Sequence, residues 1–363
     1  MYEKEMKELA YNLVNKSVKA QKGERVLIDF SCTDKLFIRF IIEEIIKVGA
    51  IPQIWCSDKY LKKQIVLNGT EDTFNKMAEI DCFTMQNSDC VIIIRGEENS
   101  FDFSDVPIEK QKLYSVCYDE KVHTNIRLNK KWVLLRFPTP SFAQSAHIST
   151  EAFNTFFYKV CNYDYEGLKK KMEPLKVLME KTDKVRIVAK DTDLTFSIKN
   201  IPAIKCCGEC NIPDGELYTA PVKNSINGQI RFNVNMSIDG NFYSNLLLKF
   251  KDGKIVDCDD FRFEKVLNTD QGSRYIGEFA FGLNNMIVHP VLDILFDEKM
   301  ARSIHMAVGN CYDDAPNGNK SAVHIDLIQC HSKDYGGGEI YFDNVLIRKD
   351  GEFVLEELLD LNR

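Results

Sequence analysis

Short, uninterrupted apolar segments alternate with amphipathic helical segments over about the first 140 residues of the chain. The apolar segments read ERVLIDF, DCVIIIRG and KWVLLRF, which is typical of strands buried on both faces. The residues from Met6 to Val18, before the first apolar segment, keep helical spacing. The helical segment LFIRFIIEEIIKVGA follows that apolar segment, and its helix is expected to end at Gly49. Buried strands that alternate with helices favour a parallel sheet covered by helices. The sequence therefore predicts an N-terminal α/β domain.

The pattern changes near Thr182, after a highly charged helical segment that Pro174 is expected to break or kink. Short strands follow, among them VRIVAK, DLTFSIK and QIRFNVN, and the turn signal KDGK separates LLLKF from KIVDC. Short strands joined by tight turns are typical of an antiparallel or mixed sheet. We therefore predict an α/β domain over residues 1–182 and an α+β domain over residues 183–363.

Charge and composition exclude several classes of protein. The formal net charge of −7 argues against binding to a nucleic-acid backbone. No segment reaches the ~20 apolar residues of a membrane helix, and no GxGxxG or GxxxxGKS/T motif follows a strand. The segment MYEKEMKELAYNL lacks the basic start and apolar run of a signal peptide. We therefore expect a cytoplasmic protein that binds neither nucleic acid nor membranes.

Twelve cysteines are scattered along the chain from Cys32 to Cys330. A chain of this length can bury a full core without a disulfide scaffold, so we expect reduced thiols. Cys206, Cys207 and Cys210 form CCGEC, a CxxC motif without a second CxxC or a nearby histidine pair. Such a motif is a weak zinc signal, and we interpret the three residues as structural thiols.

Histidines concentrate toward the C-terminus, where four of the six lie between residues 278 and 331. His305 lies in SIHMAVG, which alternates like a strand, and Tyr312 follows seven residues later. His324 and Asp326 form an HxD pair whose side chains share one face of a strand. Histidine beside carboxylate is typical of a metal site, although a core histidine paired with an aspartate is the alternative.

Two glutamates stand in surroundings that are unusual for a solvated charge. Glu216 follows Asp214 in the proline-bounded loop NIPDGELYTAP, for which an acidic surface turn is the alternative. Glu278 stands between apolar residues in GEFAFGLN, for which a strand-end glutamate facing water is the alternative. Together with the histidines and the aspartate they offer mixed nitrogen and oxygen ligands suited to zinc, cobalt or manganese. Five ligands exceed the three that a catalytic zinc usually takes from protein, which favours two metals and one bridging carboxylate.

Four segments, NIPDGELYTAP, GEFAFGLN, HMAVGNCY and NKSAVHIDL, resemble in their order the signature blocks of the M29 family of metallo-aminopeptidases, the aminopeptidase T, AmpS and PepS group. The segment RFPTPSFAQSA resembles that family's sequence near the end of its first domain, so the resemblance covers most of the chain. It implies ligands for two metal ions: Glu216, Glu278, His305, His324 and Asp326.

The resemblance also implies roles outside these ligands. Tyr312 would be the active-site tyrosine, and Glu298 is a further candidate ligand, although we favour an exposed residue in a DEK run. His289 and His331 match no ligand of the family and are expected to be structural or surface histidines. The family architecture implies a C-terminal metal-binding domain and a homodimer.

The sequence therefore predicts a metal-dependent aminopeptidase that hydrolyses the N-terminal bond of peptides with a free N-terminus. Two divalent ions (zinc, cobalt, manganese or magnesium) would activate a water molecule. Glu216 or Glu278 would act as general base and Tyr312 would donate to the oxyanion. The alternatives are another two-metal hydrolase, such as an amidase or phosphoesterase, and a non-enzymatic metal- or nucleotide-binding α/β protein. No Arg/Lys cluster that would hold a phosphate lies near the ligand segments.

Overall fold

The computed structural model describes residues 2–238 and 241–363. The chain forms two compact units, one of Met1–Tyr163 with Gly208–Pro213 and one of Asp164–Cys207 with Asp214–Arg363. The predicted boundary at residue 182 lies in the second unit, between a helix that ends at Lys181 and a strand that begins at Lys184. That boundary stays a prediction.

Helices are concentrated in the first unit and strands in the second. The α-helices of the described residues are α1 (Glu3–Asn12), α2 (Lys35–Lys47), α3 (Lys59–Asn68), α4 (Glu71–Gln86), α5 (Ile108–Tyr114), α6 (Pro140–Ser145), α7 (Thr150–Cys161), α8 (Tyr165–Lys171), α9 (Glu173–Lys181), α10 (Phe261–Leu267) and α11 (Ile294–Asp297). The strands are β1 (Arg25–Ser31), β2 (Ile51–Cys56), β3 (Cys90–Arg95), β4 (Lys131–Arg136), β5 (Lys184–Ala189), β6 (Thr192–Ser197), β7 (Ile204–Cys206), β8 (Asn211–Ile212), β9 (Glu216–Thr219), β10 (Asn227–Phe232), β11 (Met236–Ile238), β12 (Asn241–Tyr243), β13 (Leu246–Lys251), β14 (Lys254–Cys258), β15 (Ile276–Gly282), β16 (Ser303–Gly309), β17 (His324–Cys330), β18 (Gly338–Phe342), β19 (Val345–Lys349) and β20 (Glu352–Phe353). Wider helical turns extend α1 over Leu13–Ser17 and α5 over Ser115–Thr124.

The first unit is built on a five-stranded parallel sheet with the strand order β2-β1-β3-β4-β8. The residues of β3 from Cys90 to Ile94 are all buried, so both faces of this strand are covered. Helix α2 begins after Asp34, whose side chain accepts a hydrogen bond from the Leu36 N–H, and it buries an apolar face that includes Phe37. The apolar segments form interior strands of this sheet, where helices exclude water from them. The predicted parallel sheet is confirmed.

Besides the two-stranded sheet β11-β12, the second unit contains two larger antiparallel sheets. One has eight strands in the order β14-β13-β10-β6-β5-β18-β19-β20, and the other has five in the order β17-β16-β15-β9-β7. The signal KDGK forms the turn from β13 to β14, where Asp252 and Gly253 have φ values of 50° and 83°. A Cβ atom on Gly253 would lie 1.9 Å from the Lys223 carbonyl oxygen, so only glycine fits there. The predicted α+β architecture of this part of the chain is confirmed.

Three further expectations from the sequence can be compared with the fold. All twelve cysteines are free thiols, as expected for a chain without a disulfide scaffold. None of the described helices combines the length and the apolar character needed to cross a bilayer. Pro174 lies in the first turn of α9, immediately after the break that separates this helix from α8, as expected.

His331 is a buried structural residue next to the end of β17. Its Nε2–H donates to the Gln329 side-chain oxygen over 2.8 Å, and the Gln329 amide in turn donates to Thr192 Oγ1 and to the Arg231 carbonyl oxygen. Burial, aided by the Arg348 guanidinium, lowers the pKa of His331 to about 3. The imidazole is therefore neutral in the folded protein at neutral pH.

We expect His331→Asn to flatten the pH dependence of stability. Because the folded pKa of about 3 lies below the ordinary value of 6.5, neutral His331 stabilises the fold fully above pH 6.5, and this contribution is lost as the pH falls toward 3. Urea titrations at pH 7 and pH 5 should give a smaller change in unfolding free energy for the variant, by up to ~1.4 kcal/mol per pH unit. The exposed His289→Asn serves as control, and a wild-type slope in His331→Asn would contradict the expectation.

Candidate metal centre

Four neighbouring strands of the five-stranded antiparallel sheet carry the ligands predicted from the sequence. Glu216 begins β9, Glu278 is the third residue of β15, and His305 is the third residue of β16. His324 and Asp326 are the first and third residues of β17. Because these strands pair in the order β9-β15-β16-β17, residues that are far apart in sequence become neighbours across the sheet.

Alanine or glycine stands directly opposite each of these ligands on at least one adjacent strand, and Ile328 is the second residue opposite His305. The cross-strand pairs are Glu216 with Gly282, His305 with Ala280, Glu278 with Ala307, Asp326 with Ala307, and His324 with Gly309. Directly opposed residues share a face of the sheet, with Cβ atoms about 5 Å apart. The small residues therefore leave room for the larger side chains to turn toward one another.

The side chains converge on Glu278. Its Oε1 lies 3.3 Å from His305 Nε2, and its Oε2 lies 3.1 Å from His324 Nε2. His305 Nε2 also lies 3.2 Å from Glu216 Oε2, and His324 Nε2 lies 3.7 Å from Asp326 Oδ1. Two groups result, each with ligand atoms within 4.8 Å of one another, and Glu278 belongs to both.

Burial and unsatisfied polar atoms in this cluster fit a bound cation. Glu278 is 2% exposed and His305 is 1% exposed, which is costly for groups that carry or share charge. Among the described side chains, Glu216 Oε2, His324 Nε2 and Asp326 Oδ1 are buried atoms without a hydrogen-bond partner. Buried acceptors aimed at one small volume, with two imidazole nitrogens, form a donor set suited to divalent metal ions.

A backbone carbonyl fixes the orientation of His324. Its Nδ1 lies 2.8 Å from the Asn310 carbonyl oxygen, which can only accept a hydrogen bond. In the neutral imidazole the proton therefore belongs on Nδ1, and the lone pair of Nε2 faces Glu278 and Asp326. Metal-ligating histidines characteristically make this second hydrogen bond, because it fixes the tautomer and the ring plane.

The charges of the cluster depend strongly on one another. Burial raises the pKa of Glu216, but the Lys299 ammonium and the His305 imidazole together outweigh burial and hold that pKa below its ordinary value. Burial likewise opposes ionisation of Glu278, but the two neighbouring histidines lower its pKa overall. Burial lowers the pKa of His324, yet Asp326 and Glu278 raise it to about 10. Without a metal the histidines hold protons that balance the carboxylates, and a bound cation takes the place of those protons.

Lys299 is a member of the cluster that the sequence did not predict. It is 1% exposed, and its Nζ lies 2.6 Å from Glu216 Oε1, 2.7 Å from Glu298 Oε1 and 3.9 Å from Asp214 Oδ1. In the sequence it ends the charged run DEK, a pattern typical of an exposed turn. The only local signal of its burial is the apolar residue on each side of that run.

Two interpretations that placed a carboxylate in solvent are wrong, the one favoured for Glu298 and the alternative for the loop of Asp214. Glu298 is 9% exposed rather than part of a solvated charged run, and burial raises its pKa to about 8. Its carboxylate contacts Lys299 and belongs to neither of the two groups that share Glu278. Asp214 is 1% exposed rather than part of an acidic surface turn. Both carboxylates lie near the ammonium of the buried Lys299, although Asp214 and Glu298 are far apart in sequence, so local sequence does not reveal their burial.

Tyr312 lies beside the cluster in a more accessible position. It is 44% exposed, and its ring centroid lies 4.7 Å from that of His324. Burial of the hydroxyl end and the nearby Glu278 carboxylate raise the pKa of Tyr312, so its phenol keeps its proton at neutral pH. The phenol is thus a hydrogen-bond donor within reach of a ligand that enters from solvent.

The remaining candidate residues lie outside the two groups. His289 is exposed, and His331 lies in the Gln329 network described above. Cys206 forms a third group with Asp214 and Glu216, on the side of Glu216 that Lys299 contacts. Burial raises the pKa of the Cys206 thiol, which favours the protonated thiol in the protein without metal.

Comparisons with known proteins match a peptidase family over nearly the whole chain. A family model described as "Thermophilic metalloprotease (M29)" matches residues 2–353. Aminopeptidase 2 of Geobacillus stearothermophilus is 31% identical over 167 residues, covering 39% of this chain and 37% of that protein. Aminopeptidase T of Thermus aquaticus is 32% identical over 156 residues, covering 38% and 36%. The matched segments thus span little more than a third of the length of these two relatives.

Two solved structures resemble the fold. Wild-type AmpT from Thermus thermophilus has a TM-score of 0.83 and 18% identity, and the match covers 98% of this chain and 100% of that chain. A "2,5-dihydroxypridine Dioxygenase" from Pseudomonas putida KT2440 has a TM-score of 0.61 and 12% identity, covering 98% and 99%. At such identities the likeness shows the fold alone, and the chemistry has to be argued from the residues of the site.

We expect His324→Ala to lose part of the metal that the wild-type protein binds. The change removes the imidazole nitrogen that faces Glu278 and Asp326, so at least one equivalent of metal should bind about 10- to 100-fold more weakly. Elemental analysis after equilibrium dialysis measures the loss, with the exposed His289→Ala as matched control. Unchanged metal content in His324→Ala would remove this residue from the ligand set.

Proposed function

Because the chain belongs to the M29 family of metallopeptidases, we propose that it is a metal-dependent aminopeptidase acting on peptides with a free N-terminus. The observation that carries this proposal is the buried Glu278 carboxylate, whose two oxygens face histidines on two different strands. Such a carboxylate is suited to bridge two metal ions. The aminopeptidase names of the relatives support the choice of reaction.

We assign each of the two groups of side chains to one divalent ion. Glu216, Glu278 and His305 would hold one ion, and Glu278, His324 and Asp326 would hold the other. Zinc, cobalt, manganese and magnesium are candidates, since nitrogen and oxygen ligands accept them according to availability as well as affinity. When bound, the ions supply a water of lowered pKa, polarise the scissile carbonyl and hold the free α-amine.

The chain itself supplies the proton transfers and part of the charge stabilisation. A glutamate of the cluster, Glu216 or Glu278, accepts a proton from water and returns it to the leaving amine. The Tyr312 phenol donates a hydrogen bond to the oxyanion that develops on the peptide carbonyl. Its partial exposure beside the partly buried His324 and the buried Glu278 supports this role, because substrate has to reach it from solvent.

We further propose that the protein is a cytoplasmic homodimer. The twelve free thiols favour a reducing compartment, where thiols of this number stay reduced. The homodimer is the assembly that the family resemblance implies. Size-exclusion chromatography with light scattering tests it.

Peptide assays with free and blocked N-termini test the proposed reaction. Purified protein supplemented with zinc or cobalt should release N-terminal residues from unblocked peptides and leave N-acetylated peptides intact, because the free amine is part of what the site recognises. Equal cleavage of blocked peptides would instead indicate a different amide hydrolase. Hydrolysis of phosphate esters with no peptide cleavage would indicate a phosphoesterase.

Tyr312→Phe should lower kcat without removing metal. Loss of a single oxyanion donor costs about 3 kcal/mol, or roughly 100-fold or more in kcat, whereas KM should change little. Tyr341→Phe is the matched control, since its hydroxyl contacts Glu339 in the eight-stranded sheet. Wild-type kcat in Tyr312→Phe, with full metal content, would exclude the proposed role.

A further inference from the structure

Lys299 places a permanent positive charge against one of the two ligand groups. Its Nζ contacts Glu216 Oε1 at 2.6 Å, while Glu216 Oε2 faces His305. The ammonium is 1% exposed and surrounded by carboxylates, so it is not available to a substrate from solvent. One oxygen of Glu216 therefore contacts the Lys299 ammonium, and the other faces the group that Glu216 forms with Glu278 and His305.

The other ligand group lacks a comparable cation. Among the described residues, the ion-pair partners of Glu278 and Asp326 are histidines, and no lysine or arginine contacts either carboxylate. Once His324 gives up its proton, this group has two carboxylates and no fixed positive charge. The two groups thus have similar ligand types but different electrostatic surroundings.

Two cations that share one carboxylate weaken each other's binding, and the effect is large where water is excluded. An ion held through Glu216 shares that carboxylate with the Lys299 ammonium, whereas an ion held through His324 and Asp326 does not. We propose that Lys299 makes the two metal positions unequal, so that the Glu278–His324–Asp326 position binds its ion tightly and the Glu216–Glu278–His305 position binds weakly and exchanges. This inference rests on the proposed two-metal site.

Lys299 is a positioning residue in this scheme rather than a catalytic one. By contacting Oε1 it orients Glu216 with Oε2 toward His305, and through its charge it sets the affinity of that position. Glu298 takes part only as a second partner of the ammonium. The weaker position is then the one whose occupancy depends on the free metal concentration.

Isothermal titration calorimetry with cobalt(II) on metal-depleted full-length protein tests the inference without an activity assay. Wild type should bind two ions with stepwise constants that differ by about tenfold or more. Lys299→Met keeps the length of the side chain and removes its charge, so the weaker constant should tighten by about tenfold or more while the tighter one changes by less than about threefold. Lys249→Met, which removes an exposed lysine from the eight-stranded sheet, should leave both constants unchanged.

The outcomes separate this inference from the proposed function. Wild-type stepwise constants in Lys299→Met would overturn the role of Lys299 and leave the metallopeptidase proposal intact. If Lys299→Met does not fold, the wild-type isotherm still decides, because two ions bound with equal affinity would overturn the inference. Loss of the weaker rather than the tighter step in His324→Ala would also overturn it. A wild-type protein that binds no ion would overturn the inference and the proposed metal site together.

Discussion

The contact of one buried carboxylate with two histidines is the interaction on which the rest of the centre depends. Glu278 is 2% exposed. Burying an isolated ionised carboxylate at that depth would cost many times the free energy by which a single contact stabilises a protein. His305 and His324 make its burial possible by placing a nitrogen within 3.3 Å of each oxygen. That arrangement requires β15, β16 and β17 to be adjacent in one register, since a slip of one residue would turn the side chains to the opposite face.

The same register explains why small residues stand opposite every ligand. The side chains of Ala280, Ala307 and the other small residues are too short to fill the space beside the ligands. The longer side chains of the ligands therefore meet above them. The small residues reduce apolar packing on that face, and charged side chains occupy the space instead. Such a face is stable only if cations compensate the carboxylates, whether as protons on histidine, as the Lys299 ammonium or as metal ions.

Much of the fold and part of the centre could be predicted from local sequence. Apolar runs such as DCVIIIRG determine a buried parallel strand by themselves, and the HxD pair of His324 and Asp326 shares a face because strand periodicity is two. The burial of Glu298, Asp214 and Lys299 could not be predicted, because each lies in a locally polar segment and their mutual contacts join parts of the chain that are distant in sequence. The convergence of the histidines on Glu278 likewise depends on strand order, which periodicity does not determine.

The surroundings of Lys299 also discriminate between hydrolytic reactions on this fold. A phosphoesterase needs cationic donors that face the substrate and clamp its phosphate oxygens. Among the described residues, Lys299 is the lysine that contacts the cluster, and its ammonium is buried and engaged by Glu216 and Glu298. Its charge therefore compensates the protein's own carboxylates and is not directed at a ligand. A centre that presents carboxylates, imidazoles and the phenol of Tyr312 instead agrees with the metallopeptidase family to which the chain belongs.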